Sequence, residues 1–160
     1  MHLETREIIQ LLPSRFGLLM GLQAESYHRL ERLFALSRRE PGVVYVSSTG
    51  DGLDLRLELH ARHAYTLELE LSYVFEDPDT GRRAPEAQVR VYTDAHLAEA
   101  LHCQPGRGRW DALDLRATPQ RILRHRLRMA GFLSRWLEYL AAQGHGPHTL
   151  RVAQDLALPA

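Results

Sequence analysis

The stretch Leu53-Asp54-Leu55-Arg56-Leu57-Glu58-Leu59 alternates apolar and polar residues without interruption, and Tyr65-Thr66-Leu67-Glu68-Leu69-Glu70-Leu71 does the same. Successive side chains of a strand point to opposite faces of a sheet, so a period of two predicts half-buried strands. Only the short polar link 60–64 separates the two runs, which predicts an antiparallel pair. One face of this pair should be a wall of leucines, and the other should carry Asp, Arg and Glu.

Helical patterns lie on both sides of these strands. Apolar residues recur at three- and four-residue steps from Leu18 to Leu36, which predicts an amphipathic helix, and residues 3–12 predict a shorter one. Thr118 followed by Pro119 is a typical start for a helix, and the apolar stripe that follows ends near residue 143. The expected fold is therefore a single α+β domain, in which the N-terminal helix and the long C-terminal helix cover the leucine face of the sheet.

Four to five strands are expected in the sheet. Val43–Ser48 and Ala87–Thr93 are the other two clear strands. Residues 95–103 suit a fifth strand or a helix, because alanine and leucine serve both. We expect the domain to comprise residues 1–145, and residues 146–160 to form a loosely held tail after Gly146-Pro147.

Composition restricts the class of protein. The chain has 160 residues, 44% of them hydrophobic and 25% charged, which suits one soluble domain. Its apolar runs are too short to span a bilayer, its first residues lack the pattern of a secretory signal, and Cys103 is its single cysteine. These features predict a cytoplasmic protein. All 20 basic residues are arginine, and the absence of lysine excludes Schiff-base catalysis and a P-loop.

Charge is unevenly distributed although the formal net charge is zero. Residues 40–103 contain twelve acids and five arginines, whereas residues 104–136 contain eight arginines and two acids. Such a split can mark an anion-binding or nucleic-acid-binding surface, or it can reflect a basic helix near an acidic sheet. The second interpretation is favoured because the chain as a whole has no excess of positive charge.

Catalytic and metal signatures are weak. Histidines lie three apart at His60 and His63 and at His145 and His148, but without the thiolates or close ligand sets of zinc sites, so exposed turn histidines are the favoured interpretation. His102 and Cys103 are adjacent, and adjacent side chains of a strand point apart. We therefore predict no catalytic residue, no metal site and no cofactor. The carboxylates that share the polar face of the sheet, Glu58, Glu68 and Glu70, are expected to pair with Arg56 and Arg90.

The last predicted helix carries a basic stripe. Its members recur at helical spacing beside Phe132 and Tyr139; they are Arg121, Arg124, His125, Arg128 and Arg135. Such a stripe can hold phosphates and stack bases, but a solvated or sheet-paired arginine face is the favoured interpretation.

Three segments resemble the YqiB-like family of small proteobacterial proteins of unknown function. They are Val89-Arg90-Val91-Tyr92-Thr93-Asp94-Ala95-His96-Leu97-Ala98-Glu99, the helical segment 22–33, and Phe132-Leu133-Ser134-Arg135-Trp136-Leu137 with Gly144-His145. They occur in the family's order over roughly residues 18–145. The chain departs from the family pattern at Ser26, where asparagine is expected, and at Arg124–Ala130, where a polar run is expected. The resemblance implies a divergent member and brings no activity, cofactor or catalytic residue.

These observations favour a non-catalytic binding or regulatory domain that presents its charged sheet face or its basic helix to a protein partner, or that self-associates. The expected contacts are Arg90, Tyr92, Asp94, Arg124, Arg128 and Arg135. The alternative is a protein or enzyme that binds a nucleotide or another phosphorylated metabolite through its arginines, with Arg90, Tyr92 and Glu99 gathered in a pocket. Nucleic-acid and membrane partners are not expected.

Overall fold

The computed structural model describes residues 14–50, 52–79, 81–83, 85–105, 110–111, 113 and 116–153. The helix expected over residues 3–12 lies outside the described residues. The described elements, in chain order, are helix α1 (Arg15–Phe34), strands β1 (Val44–Ser47), β2 (Leu55–Arg62), β3 (Thr66–Tyr73), β4 (Glu86–Tyr92), β5 (Leu97–Gln104) and β6 (Trp110–Asp111), helix α2 (Pro119–Ala142), and strand β7 (Leu150–Val152). A one-turn 3₁₀ helix, Leu36–Arg38, follows α1, and a second one, Pro147–Thr149, comes directly before β7.

The two alternating runs form the antiparallel pair that the sequence predicts. Leu57 of β2 lies opposite Leu71 of β3, and Leu59 lies opposite Leu69, so both strands direct their leucines to the same face. The register shifts between Leu59 and Ala61, which identifies a bulge at His60. The α+β class and the antiparallel sheet are confirmed.

The expected number of strands is wrong, because the described residues already form a sheet of seven strands, in the order β6-β5-β4-β3-β2-β1-β7. Strands β6 and β7 have only two and three residues, too few for alternation to show in a sequence. Residues 97–104 form a strand and not a helix: they pair with β4, and Ala98, Ala100 and Cys103 face the core. Strand β7 pairs with β1 and lies within the segment for which the sequence predicted a loosely held tail.

The hydrophobic core lies between one face of the sheet and the two helices. The leucines of β2 and β3 at positions 55, 57, 59, 67, 69 and 71 are fully buried, and so are Leu133 and Leu137 of α2. Burying a leucine contributes about 2 kcal/mol, so this layer is the main source of stability. Trp136 of α2 donates its indole N–H to the Tyr73 hydroxyl over 3.3 Å, which satisfies a polar group within the apolar layer. The predicted packing of the helices on the leucine face is confirmed.

Both helices begin at a side-chain cap. The Ser14 hydroxyl accepts the Gly17 N–H at 2.9 Å, and the Thr118 hydroxyl accepts the Arg121 N–H at 3.2 Å. Pro119 occupies the first turn of α2, as its position after Thr118 predicts. Helix α1 ends at Ala35, whose φ of 46° is left-handed. Within the described residues, no helix combines the length and the apolar composition that a membrane span requires.

Candidate functional site

The polar face of the sheet carries a network of paired charges. An Arg56 guanidinium nitrogen lies 2.6 Å from Glu58, and a second lies 3.6 Å from Glu70. His60 Nε2 lies 3.2 Å from the other oxygen of Glu70. Glu58 and Glu70 are direct cross-strand neighbours in the β2–β3 register, so the Arg56 cation reduces the repulsion between these two carboxylates.

Three side chains of this network, those of Glu58, His60 and Glu70, are also a candidate metal-ligand set. One ligand atom from each of Glu58, His60 and Glu70 lies within 4.8 Å of the others. Both carboxylates, however, already interact with Arg56, so a metal ion would have to compete with this cation for them. The arrangement is therefore accounted for as an ion-pair network.

Arg90 and Glu68 form the next pair on this face. The guanidinium donates two hydrogen bonds to one Glu68 oxygen, at 2.9 and 3.2 Å. Hydrogen bonding to Glu68, and secondarily to Tyr92, raises the pKa of Arg90 above its usual value. The Tyr92 hydroxyl lies 3.5 Å from Glu99, the carboxylate of the neighbouring strand. Arg90, Tyr92 and Glu99 are thus neighbours on the polar face of the sheet, and the charge of Arg90 is paired with Glu68.

Asp94 has a local structural contact in the β4–β5 turn. Its carboxylate accepts the N–H of Ala95 at 2.9 Å. Two residues later, His96 has a left-handed backbone (φ 56°), and its ring stacks on Tyr27 of α1 with centroids 4.9 Å apart. The β4–β5 turn is therefore in direct contact with α1.

A basic cleft of about 370 Å³ lies beside the first half of α2. We define the basic cleft by its lining residues, Leu113, Arg121, Arg124, His125 and Arg128. The three arginine side chains are exposed, and none has an ion-pair partner among the described residues. The helical spacing seen in the sequence therefore brings these cations to one concave surface.

Contacts with β6 fix the inner wall of the basic cleft. The Arg128 guanidinium lies over the Trp110 ring, 5.3 Å from its centroid. His125 Nε2 hydrogen-bonds the backbone carbonyl of Asp111, and the Asp111 carboxylate lies 2.5 Å from His102 Nδ1. The short strand thus orients one cation and one imidazole of the cleft.

Arg135 lies outside the basic cleft although it continues the stripe. It is exposed, and its Nε donates to the carbonyl of Gly131 in its own helix at 3.2 Å. The residues predicted as one set of contacts therefore fall in separate places: Arg90, Tyr92 and Glu99 on the sheet, Asp94 in a turn, Arg124 and Arg128 in the basic cleft, and Arg135 further along α2.

A second cleft, which the sequence analysis missed, lies between α1 and α2. We call it the interhelical cleft; it has a volume of about 320 Å³ and is lined by Arg29, Arg32, Leu33, Glu138, Ala141 and His145. His145 is buried, with 6% of its surface exposed, whereas an exposed turn histidine was expected. The expectation was wrong because β7 pairs with β1 and His145 hydrogen-bonds Ser47 of β1, a contact that no local pattern encodes.

Cys103 and His102 point to opposite sides of β5, as expected for adjacent strand residues. Cys103 is 1% exposed in the core, and burial raises the pKa of its thiol to about 12. His102 faces Asp111 on the polar side. A thiol without an accessible thiolate does not act as a nucleophile.

Fold and site together define an α+β domain in which two helices cover one face of an antiparallel sheet and arginines line clefts beside the helices. Residues 29–146 match the family described as protein of unknown function (DUF1249), and the chain belongs to this family. No curated protein and no solved structure matches the chain.

Proposed function

We propose that this protein is a non-catalytic binding or regulatory domain that holds an anionic group of a protein partner in the basic cleft. The observation that supports the proposal is the gathering of Arg121, Arg124 and Arg128 in one cleft without an ion-pair partner among the described residues. Exposed arginines that interact with no carboxylate of their own chain are available to a carboxylate or phosphate from outside.

The sheet face is a weaker binding surface than the helix. Arg56 and Arg90 are both paired with glutamates of neighbouring strands. A partner that engaged them would first have to replace these contacts, and only the difference between old and new pairs would favour binding. Of the two surfaces expected from the sequence, the basic helix is therefore the one we propose.

A small phosphorylated ligand is the second candidate for the basic cleft. A volume of about 370 Å³ lies in the range of small-molecule sites, and a concave surface suits a compact anion. Guanidinium groups bind phosphate oxygens through paired hydrogen bonds, so several of them in one cleft favour a phosphate group.

The test is a double charge reversal, Arg124→Glu with Arg128→Glu, assayed by fluorescence anisotropy with a labelled polyglutamate peptide and by calorimetry with pyrophosphate. Two lost attractions and two new repulsions, each about 0.5 kcal/mol, predict affinity about thirtyfold weaker for whichever probe binds. Peptide binding alone supports the protein partner, and pyrophosphate binding alone supports the small ligand.

The matched control reverses two other exposed arginines of α2, Arg126→Glu with Arg135→Glu, which changes net charge equally outside the cleft. If both double variants weakened probe binding equally, the change in net charge alone would explain the loss, and the proposal would be overturned. Failure of both probes to bind the unmodified protein at low salt, where attraction is strongest, would also overturn it.

We further infer that the chain is a divergent YqiB-like protein of proteobacterial origin that works in the cytoplasm. The three resembling segments support the family assignment, and the single cysteine supports a reducing compartment. Self-association stays a prediction. The outer strands β6 and β7 have two and three residues, which leaves little edge for strand pairing between copies.

A further inference from the structure

A chain of hydrogen bonds lies behind the interhelical cleft. His145 Nδ1 is 2.7 Å from the Ser47 hydroxyl, which is 2.5 Å from the Thr149 hydroxyl. Ser47 is fully buried on β1, and His145, in the segment that leads to β7, is 94% buried. The strand pairing of β7 with β1 holds these side chains together.

The direction of these bonds follows from counting protons. The Thr149 hydroxyl donates its only hydrogen to the Gly146 carbonyl, at 2.9 Å. Ser47 must therefore donate to Thr149, and its oxygen must accept from His145. The proton of a neutral His145 then lies on Nδ1, which leaves Nε2 with a lone pair.

The lone pair on Nε2 has no partner in the described part of the protein, and His145 lines the interhelical cleft. Burial lowers the pKa of His145 below its usual value, although the negative charge of Asp54 opposes this shift. The imidazole is therefore neutral near neutral pH, and Nε2 is a hydrogen-bond acceptor.

Two arginines line the same cleft, and only one of them is paired with carboxylates. Arg29 is held by Glu25 at 2.5 Å and donates to the Ser134 carbonyl at 2.8 Å. Arg32, one turn further along α1, is exposed and has no ion-pair partner among the described residues. Glu138 lies 3.8 Å from Arg29, at the opposite wall. Arg29 therefore already has two carboxylates beside it, and Arg32 is the cation of the cleft that is available to an anion from outside.

We propose that the interhelical cleft binds a small hydroxylated anion, with its carboxylate or phosphate on Arg32 and its hydroxyl donating to His145 Nε2. Two chemical classes share this pattern, hydroxy acids and phosphomonoesters of hydroxylated compounds. The site is separate from the basic cleft, so it neither requires nor excludes the partner proposed there.

The experiment uses paired probes that differ in the hydroxyl group. Glycolate is compared with acetate, and 2-hydroxyethyl phosphate with ethyl phosphate, in NMR titrations of the full chain. A hydrogen bond to Nε2 predicts about fivefold tighter binding for the hydroxylated member of at least one pair. The pair that shows the difference identifies the class. The ¹⁵N spectrum of His145 should also show a protonated Nδ1 and a bare Nε2 whose signal shifts upon binding.

Two variants assign the contacts. His145→Asn keeps an N–H donor for Ser47, but the shorter side chain places no acceptor at the position of Nε2, so the preference for the hydroxylated probe should disappear. Arg32→Gln, at an exposed position that should not disturb folding, should weaken both members of the pair about tenfold. Arg38→Gln is the matched control, because Arg38 is exposed and lies outside the cleft. It should leave binding unchanged.

Three outcomes overturn the proposal: no probe shifts resonances of cleft residues, the hydroxylated and plain probes bind the unmodified protein equally, or Arg32→Gln and Arg38→Gln have the same effect. Protonated Nε2 with bare Nδ1 in the free protein would contradict the proton count directly. Because Arg32→Gln leaves the buried chain untouched, the result does not depend on whether His145→Asn folds.

Discussion

Replacing Arg56 by methionine should destabilise the protein through the sheet face. The Arg56 side chain is largely buried (16% exposed), and its guanidinium lies 2.6 Å from Glu58 and 3.6 Å from Glu70. Each pair contributes about 0.5 kcal/mol, and its loss also exposes the cross-strand repulsion between the two glutamates, of similar size. Together these effects predict a loss of about 1.5 kcal/mol in the free energy of unfolding.

Urea denaturation followed by circular dichroism measures this loss, and a second substitution identifies its origin. Adding Glu70→Gln to Arg56→Met removes the repulsion and should recover about 0.5 kcal/mol, although the same Glu70→Gln change alone should destabilise the unmodified protein. Arg151→Met is the matched control, because Arg151 is exposed on β7 and has no ion pair among the described residues.

The reasoning is refuted if Arg56→Met changes the free energy of unfolding by less than about 0.3 kcal/mol, the usual scatter between independent sites. It is refuted equally if Glu70→Gln lowers stability as much in the Arg56→Met background as in the unmodified protein. In that case Arg56 would act through packing of its aliphatic stem and not by separating two carboxylates.

Three further experiments test the helix cap at Thr118, the burial of Cys103 and the lowered pKa of His145. Thr118→Ala removes the hydroxyl that caps α2, so the free energy of unfolding should fall by about 1 kcal/mol in urea denaturation. Cys103 should not react with a chromogenic disulfide reagent in the native state and should react at once in urea, since its buried thiol has a pKa of about 12; fast native reaction would contradict its burial. The folded-state pKa of His145 lies below the ordinary value of 6.5, so the unfolded chain binds more protons as the pH falls through this range. Its contribution to stability should be complete above pH 6.5 and lost below it, and the difference in Tm between the unmodified protein and His145→Asn should narrow in acid.

The sequence predicted those parts of the fold whose signal is local. Alternation in β2 and β3 identified both strands and the buried face, and Thr118-Pro119 located the start of α2. Residues 95–103 served a helix equally well because alanine and leucine suit both structures. The bulge in β5, between the residues that pair with Gln88 and Val89, also breaks the alternation of that strand. Strands as short as β6 and β7 form because neighbouring strands offer hydrogen bonds. Their own few residues carry no pattern from which these strands could be predicted.

The candidate sites were predictable to different degrees. Arg121, Arg124 and Arg128 share one face of a helix, so their spacing indicated a common surface. The interhelical cleft is lined by Arg32 and His145, which are far apart in the sequence. Only the packing of α1 against α2 places both residues at one cleft. No periodicity could place His145 beside Ser47, because that contact depends on the return of the chain to β1.

The strand order has a consequence for folding kinetics. Strands β1 to β5 each pair with the next strand along the chain, so these contacts close short loops and can form one hairpin at a time. Strand β7 instead pairs with β1, and the Ser47–Thr149 bond beside it joins residues 102 positions apart. We expect the β1–β7 pairing to form last, after the transition state, so substitutions at Leu150 should speed unfolding and leave the folding rate nearly unchanged.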